Sequence, residues 1–143
     1  MRNEALERLD GLVGDWKVTL TDAWFLESRD VKVEGTAKVQ WLGEAFLEMT
    51  SDFGAPGGDW HWVIGRNDAR EQFVLLYYDD RGVLRVFDMT FEDGVWTLSR
   101  EDPDFHQRIV LNVTPDRLEG RTEASEDFGK SWRKDFDLIF ERR

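Results

Sequence analysis

The sequence predicts an all-β protein: an antiparallel up-and-down barrel of about ten strands, with a short N-terminal helix capping one end. Three observations predict it. From Gly14 almost to the C-terminus, apolar and polar residues alternate with a period of two, the mark of a sheet buried on one face and wet on the other. Turn signals break that alternation at short intervals, so consecutive strands should pair as antiparallel neighbours. A long meander with no crossover must hide its edge strands, and closing on itself does so.

The elements follow in order. Asn3 is placed to cap a helix over residues 3–13, where Leu6, Leu9, Leu12 and Val13 recur at helical spacing and Gly11 and Gly14 end the run. Strands are expected at 14–22, 30–41, 44–53, 60–66, 72–79, 83–92, 95–101, 105–113, 117–126 and 131–141. The breaks between them include Gly54-Ala55-Pro56-Gly57-Gly58, Asp80-Arg81-Gly82, Asp93-Gly94, Pro103-Asp104, Pro115-Asp116 and Phe128-Gly129. No linker or repeat divides the chain, so residues 1–143 read as one domain with the barrel over 14–142.

Turn chemistry fixes a finer register. Asp93-Gly94 is a two-residue hairpin signal. It sets Phe91 against Trp96 and Met89 against Leu98 on the buried face, with Thr90 against Thr97 outside. A three-residue loop at Asp80-Arg81-Gly82, with Gly82 as its left-handed residue, pairs Phe73 with Met89, Leu75 with Phe87 and Tyr77 with Arg85. A turn at Pro103-Asp104 pairs Arg100 with Gln107 and Leu98 with Ile109. Trp132, Lys134, Phe136, Leu138 and Phe140 should point inward, and so should Gly120, Thr122 and Ala124, whose small size leaves room.

This register gathers the inward polar residues Tyr77, Arg85, Arg100, Gln107 and Lys134 at one end. Trp62, Phe87 and Trp96 form part of the apolar belt beneath them. The loop Asp22–Asp30, with Trp24 and Phe25, and the segment Gly54–Gly58 with Trp60 frame the same mouth as a portal. The arginines suit a carboxylate because their planar fork matches it. The competing reading makes these rim residues in water, or ion-paired, with Asp102 opposite Arg85 and Glu126 nearby. His61 and His106 fall on the outward face.

Composition limits the partners. The chain of 143 residues carries a net charge of −11, and 34% of its residues are charged. Nucleic acid and anionic membrane surfaces are poor partners for it. It holds no Cys and two His, so neither a thiol site nor a multi-His metal centre is expected. No long apolar run or signal core is present, and the expectation is a cytoplasmic protein. Yet 13% of the residues are aromatic, seven of them Trp.

Several stretches carry a family likeness. Leu9-Asp10-Gly11-Leu12-Val13-Gly14-Asp15-Trp16 and Trp41-Leu42-Gly43-Glu44-Ala45-Phe46-Leu47 resemble the DUF1579 family of small bacterial proteins. So do Gly82-Val83-Leu84-Arg85-Val86-Phe87-Asp88-Met89, Asp93-Gly94-Val95-Trp96-Thr97-Leu98 and Trp132-Arg133-Lys134-Asp135-Phe136-Asp137-Leu138. The resemblance implies a lipocalin-like (calycin) barrel of unknown function, with Trp16 packed across the closed end. Its broader relatives include fatty-acid-binding barrels and haem-binding nitrobindin barrels. The latter ligate haem through a His on the last strand, and Ser131–Glu141 has none, so no cofactor is expected.

The functional expectation is a carrier or sensor of a small, largely apolar or amphipathic molecule, with or without an acidic head, held inside the barrel. One alternative is a cyclase- or isomerase-type enzyme acting there with Tyr77 as the acid, although no second catalytic group is evident. Another is a homodimeric interaction module, burying Trp24 and Phe25 against a partner.

Overall fold

The computed structural model describes residues 4–55 and 57–143. Ten strands form a closed barrel: β1 (Gly14–Thr21), β2 (Val33–Leu42), β3 (Phe46–Asp52), β4 (Asp59–Asn67), β5 (Gln72–Asp79), β6 (Leu84–Glu92), β7 (Val95–Glu101), β8 (His106–Thr114), β9 (Arg117–Ser125) and β10 (Arg133–Arg142). Each strand pairs antiparallel with its sequence neighbours, and β1 pairs with β10 to close the ring. No helix among the described residues is long and apolar enough to cross a membrane.

The hairpin registers are those the turns dictate. Asp93 and Gly94 both take positive φ (53° and 74°), the conformation of a type I′ turn, and Phe91 faces Trp96 across it. Gly82 sits at φ 83° in the β5–β6 loop, and Tyr77 faces Arg85. Arg100 faces Gln107. The inward residues of these pairs build one continuous core, from Leu6 and Trp16 through Met89 and Leu98 to Phe140.

The N-terminal helix is shorter than its leucine spacing implied. One α-helical turn, α1 (Glu4–Glu7), is followed by a 3-10 turn at Asp10–Leu12. Leu6, Leu9 and Leu12 recur every three residues, the period of a 3-10 turn, and all three are buried. The expected cap, Asn3, lies outside the described residues.

These leucines close one end of the barrel together with Trp16, which is fully buried and donates its indole N–H to Leu12 O at 2.9 Å. Arg142, near the end of β10, lies over the Trp16 ring at 4.2 Å. Its guanidinium donates to Val13 O, Gly11 O and Pro115 O at 3.0, 2.6 and 2.8 Å. One side chain therefore ties the N-terminal segment, β1, β10 and the β8–β9 turn together. A Cβ on nearby Gly14, already at φ 139°, would meet Arg142 Nη1 at 2.6 Å and displace the guanidinium.

Two expectations about the interior are corrected. Gly120 does not leave room: a Cβ there would run into the backbone carbonyl of Val110, so the glycine permits close approach of β8 to β9. Lys134 does not point inward. β10 carries a bulge at Asp135, so that Lys134 pairs with Glu123 on the outer face while Phe136 pairs with Thr122. A regular strand would set Asp135 against Glu123, two like charges directly opposed. The bulge sets a lysine there instead. It also leaves Trp132 before the strand, where Arg108 stacks on its ring at 4.0 Å.

Two predictions follow from the closed end and from β9. Arg142→Ala should lower the free energy of urea unfolding by about 2–3 kcal/mol, having lost a ring contact and charge-assisted hydrogen bonds. Arg117→Ala, at a half-exposed ion pair, should cost under about 1 kcal/mol. Equal effects would refute the role assigned to Arg142. Gly120→Ala should cost more than about 2 kcal/mol. Gly11→Ala, where a Cβ meets nothing within 4 Å, should stay within about 0.5 kcal/mol.

Candidate functional site

The end opposite Trp16 holds a cavity of about 590 Å³. Its walls are the inward faces of the strands, among them Leu20, Trp62, Leu75, Phe87, Ile109 and Leu138. Its rim is built by the β1–β2 loop with Trp24, Phe25 and Leu26, by Phe53 and Trp60, by the β5–β6 loop and by Phe105. Trp24 and Phe25 are each 51% exposed, large apolar rings left facing solvent beside an opening.

The β1–β2 loop is fastened by its first residues. Ala23 is fully buried. Trp24 donates its indole N–H to Asp135 Oδ1 at 2.9 Å and its backbone N–H to Asp135 O at 3.3 Å. Arg133 stacks on the Trp24 ring at 5.0 Å and pairs with Glu126 at 3.2 Å. Asp22 pairs with Lys134 and with Arg29, and these hydrogen bonds hold its carboxyl below the usual range. The β10 bulge is therefore what places Asp135 where the loop needs an acceptor. The β9–β10 loop is fastened too: Ser131 and Ser125 donate to Asp127 and lower its pKa to about 2.

The inward polar residues separate into three groups. The first is a locked carboxylate. Asp79 is buried and accepts from Tyr77 Oη at 2.5 Å, from Arg81 Nη2 at 2.6 Å and Nε at 3.1 Å, and from the Arg81 backbone N–H at 3.0 Å. The Arg81 hydrogen bonds, followed by that from Tyr77, drive the Asp79 pKa far below its ordinary value. Burial and the neighbouring carboxylate push the Tyr77 phenol in the opposite direction, so it keeps its proton.

The second group is Arg100, which does not face the cavity as an available cation. It is buried, donates to Phe105 O at 3.0 Å and Asp104 Oδ1 at 2.8 Å, and lies 2.8 Å from Asp102 in a charge contact not aligned as a hydrogen bond. Asp102 thus serves Arg100 rather than Arg85, because the β7–β8 turn folds its acidic residues back over their own hairpin.

The third is Arg85 with Gln107, and both line the cavity. Arg85 Nη1 donates to Gln107 Oε1 at 3.3 Å, and the guanidinium stacks on Phe105 at 5.1 Å. Among the described residues it has no carboxylate within ion-pair distance. Burial, and then the positive charge of Arg100, lower its pKa from the ordinary value.

Of the remaining candidates, Trp62, Phe87, Trp24, Phe25 and Trp60 line the cavity or its rim. Trp96 does not. It is fully buried below the floor, edge-on to Trp62 at 5.6 Å. Lys134 lies outside, paired with Asp22 and Asp137. His61 stacks on outward Tyr78, and His106 meets Phe128 edge-on. Among the described residues no group of three His, Asp or Glu is placed to hold a metal ion.

Sequence reasoning missed Asp79 and Asp135. Asp79 was legible: it lies two residues from Tyr77 and so shares its face. Asp135 depends on the bulge, whose signal is the Glu123 it would otherwise oppose.

The Asp79 geometry predicts a pH dependence. Its folded pKa lies below its unfolded value near 3.9, so its stabilisation is complete above about pH 5 and fades as the pH falls below about 4. Asp79→Asn should therefore lose less melting temperature between pH 6 and pH 3 than the parent does. An equal loss in both would contradict the assignment.

Comparison with known proteins agrees with this architecture. The crystal structure of Rv2717c from M. tuberculosis superposes with a TM-score of 0.60 over 100% of this chain and 99% of that one, at 14% sequence identity. At that identity the likeness is one of fold. No curated protein sequence matches. The family described as "Protein of unknown function (DUF1579)" matches residues 3–107, most of the chain and all of β1 to β7. This chain is a member of the DUF1579 family.

Proposed function

We propose that the barrel binds or carries a small, largely apolar molecule with an anionic head. The head would be received by Arg85 and Gln107, and the body would lie along the apolar walls. One observation carries the reading: Arg85 is a guanidinium lining the cavity with no carboxylate within ion-pair distance among the described residues, in a chain where acids outnumber bases 30 to 19. The lowered pKa of this group means that the empty protein bears a cost which a bound anion would relieve. Arg100 held by its own aspartates leaves Arg85 as the cation offered to a ligand. The Tyr77 proton, engaged with Asp79, favours a fixed wall over a proton shuttle.

The test uses two probes that share a skeleton: anionic 8-anilino-1-naphthalenesulfonate and neutral N-phenyl-1-naphthylamine. Arg85→Gln should weaken the sulfonate by about 10- to 100-fold, the range of a charge-assisted hydrogen bond, and leave the neutral probe within about two-fold. The same substitution should leave the melting temperature of the unliganded protein unchanged or raised. Equal weakening of both probes would overturn the head-group assignment, and failure of both to bind the parent protein would overturn the cavity reading.

A further inference from the structure

Aromatic side chains make up nine of the 26 described residues lining the cavity, about a third, against 13% of the chain. Six of them form an unbroken wall. Trp24 meets Phe25 at 5.8 Å, Phe25 meets Phe136 at 5.8 Å and Phe136 meets Trp60 at 6.1 Å. Trp60 in turn meets Phe53 at 4.7 Å and Tyr77 at 6.4 Å. None of these contacts is a parallel stack, since their interplanar angles run from 45° to 87°. Among the described residues the stacked pair, at 8°, is His61 with Tyr78, outside the barrel.

Each edgewise or tilted contact of the wall engages at most one face of one ring, and Arg133 covers one face of Trp24, so about half of the faces of these six cavity-lining rings are left without a partner in the wall. An alkyl chain would bury area against them and nothing more. A planar π-system would also match the quadrupoles of the ring faces and edges. A fused ring has no internal rotations to lose on entry, whereas a flexible chain must be ordered. At the polar side, Arg85 already lies over Phe105, so the cation stands beside an aromatic face where a ring-borne acid would carry its charge.

We infer that the ligand is a planar aromatic or conjugated ring acid rather than a flexible fatty acid. This rests on the cavity and head-group reading above and names the class of molecule that fits it.

Calorimetric titration of the full chain with three carboxylates of matched carbon number tests it: 2-naphthoate, undecanoate and the saturated ring decahydro-2-naphthoate. The naphthoate should bind at least about 10-fold tighter than undecanoate, and at least about 3-fold tighter than the saturated ring. Trp60→Leu should bring the naphthoate-to-undecanoate ratio towards unity while undecanoate affinity holds. Phe53→Leu serves in its place if the circular dichroism of that variant differs from the parent. Undecanoate binding as tightly as naphthoate would overturn the ring class and leave the head-group reading standing. So would the saturated ring matching naphthoate. If no carboxylate binds while N-phenyl-1-naphthylamine does, the acidic head fails and the ring acid with it.

Discussion

The contact between Arg142 and Trp16 sets the polarity of the whole barrel. A ten-stranded ring encloses more space than side chains fill, so it needs a stopper at one end or it is a tube. The stopper is a short leucine-bearing segment with little helical structure of its own. Arg142 holds it by bonding the carbonyls that the 3-10 turn leaves free, while its flat guanidinium covers the indole. Arg8 and Arg66 treat Phe73 in the same way, at 4.7 and 5.2 Å. With apolar filling assigned to that end, the cavity has nowhere to form but the other.

The charge of −11 is distributed by the same logic. Acidic residues beside the mouth are mostly committed to neighbouring donors: Asp79 to Arg81 and Tyr77, Asp104 and Asp102 to Arg100, Glu126 to Arg133, Asp22 to Lys134. These contacts shape loops rather than supply much stability where they are exposed. Their effect on the cavity is indirect. Among the described residues they pair Arg81 and Arg100 but not Arg85, so a strongly acidic molecule can still present a positive spot to a small anion.

Most of the fold was legible because turns, not strands, carry the register. Asp93-Gly94 and Gly82 demand particular backbone conformations, and once these are granted the facing pairs follow by counting. What could not be counted was a change of phase within a strand. Lys134 was misplaced because nothing in a period-two pattern announces the extra residue at Asp135. Gly120 was read as empty space, whereas it marks a close approach between two backbones, a contact that residue size alone does not reveal. Arg100 was placed correctly on the inner face but not in its bonds, which belong to a loop whose path depends on where the arginine already is.

The β10 bulge bears on how members of this family should be compared. The charge that the last strand shows to the cavity is decided by the phase of the backbone and not by the amino acids it contains. With the bulge, Asp135 lines the wall and Lys134 is outside; without it, the identical residues would exchange sides. An alignment column matching Lys134 to a lysine in another chain therefore says nothing about which of them faces the cavity. Divergence in specificity within such barrels can proceed by shifting a strand by one step while every column of the alignment stays the same.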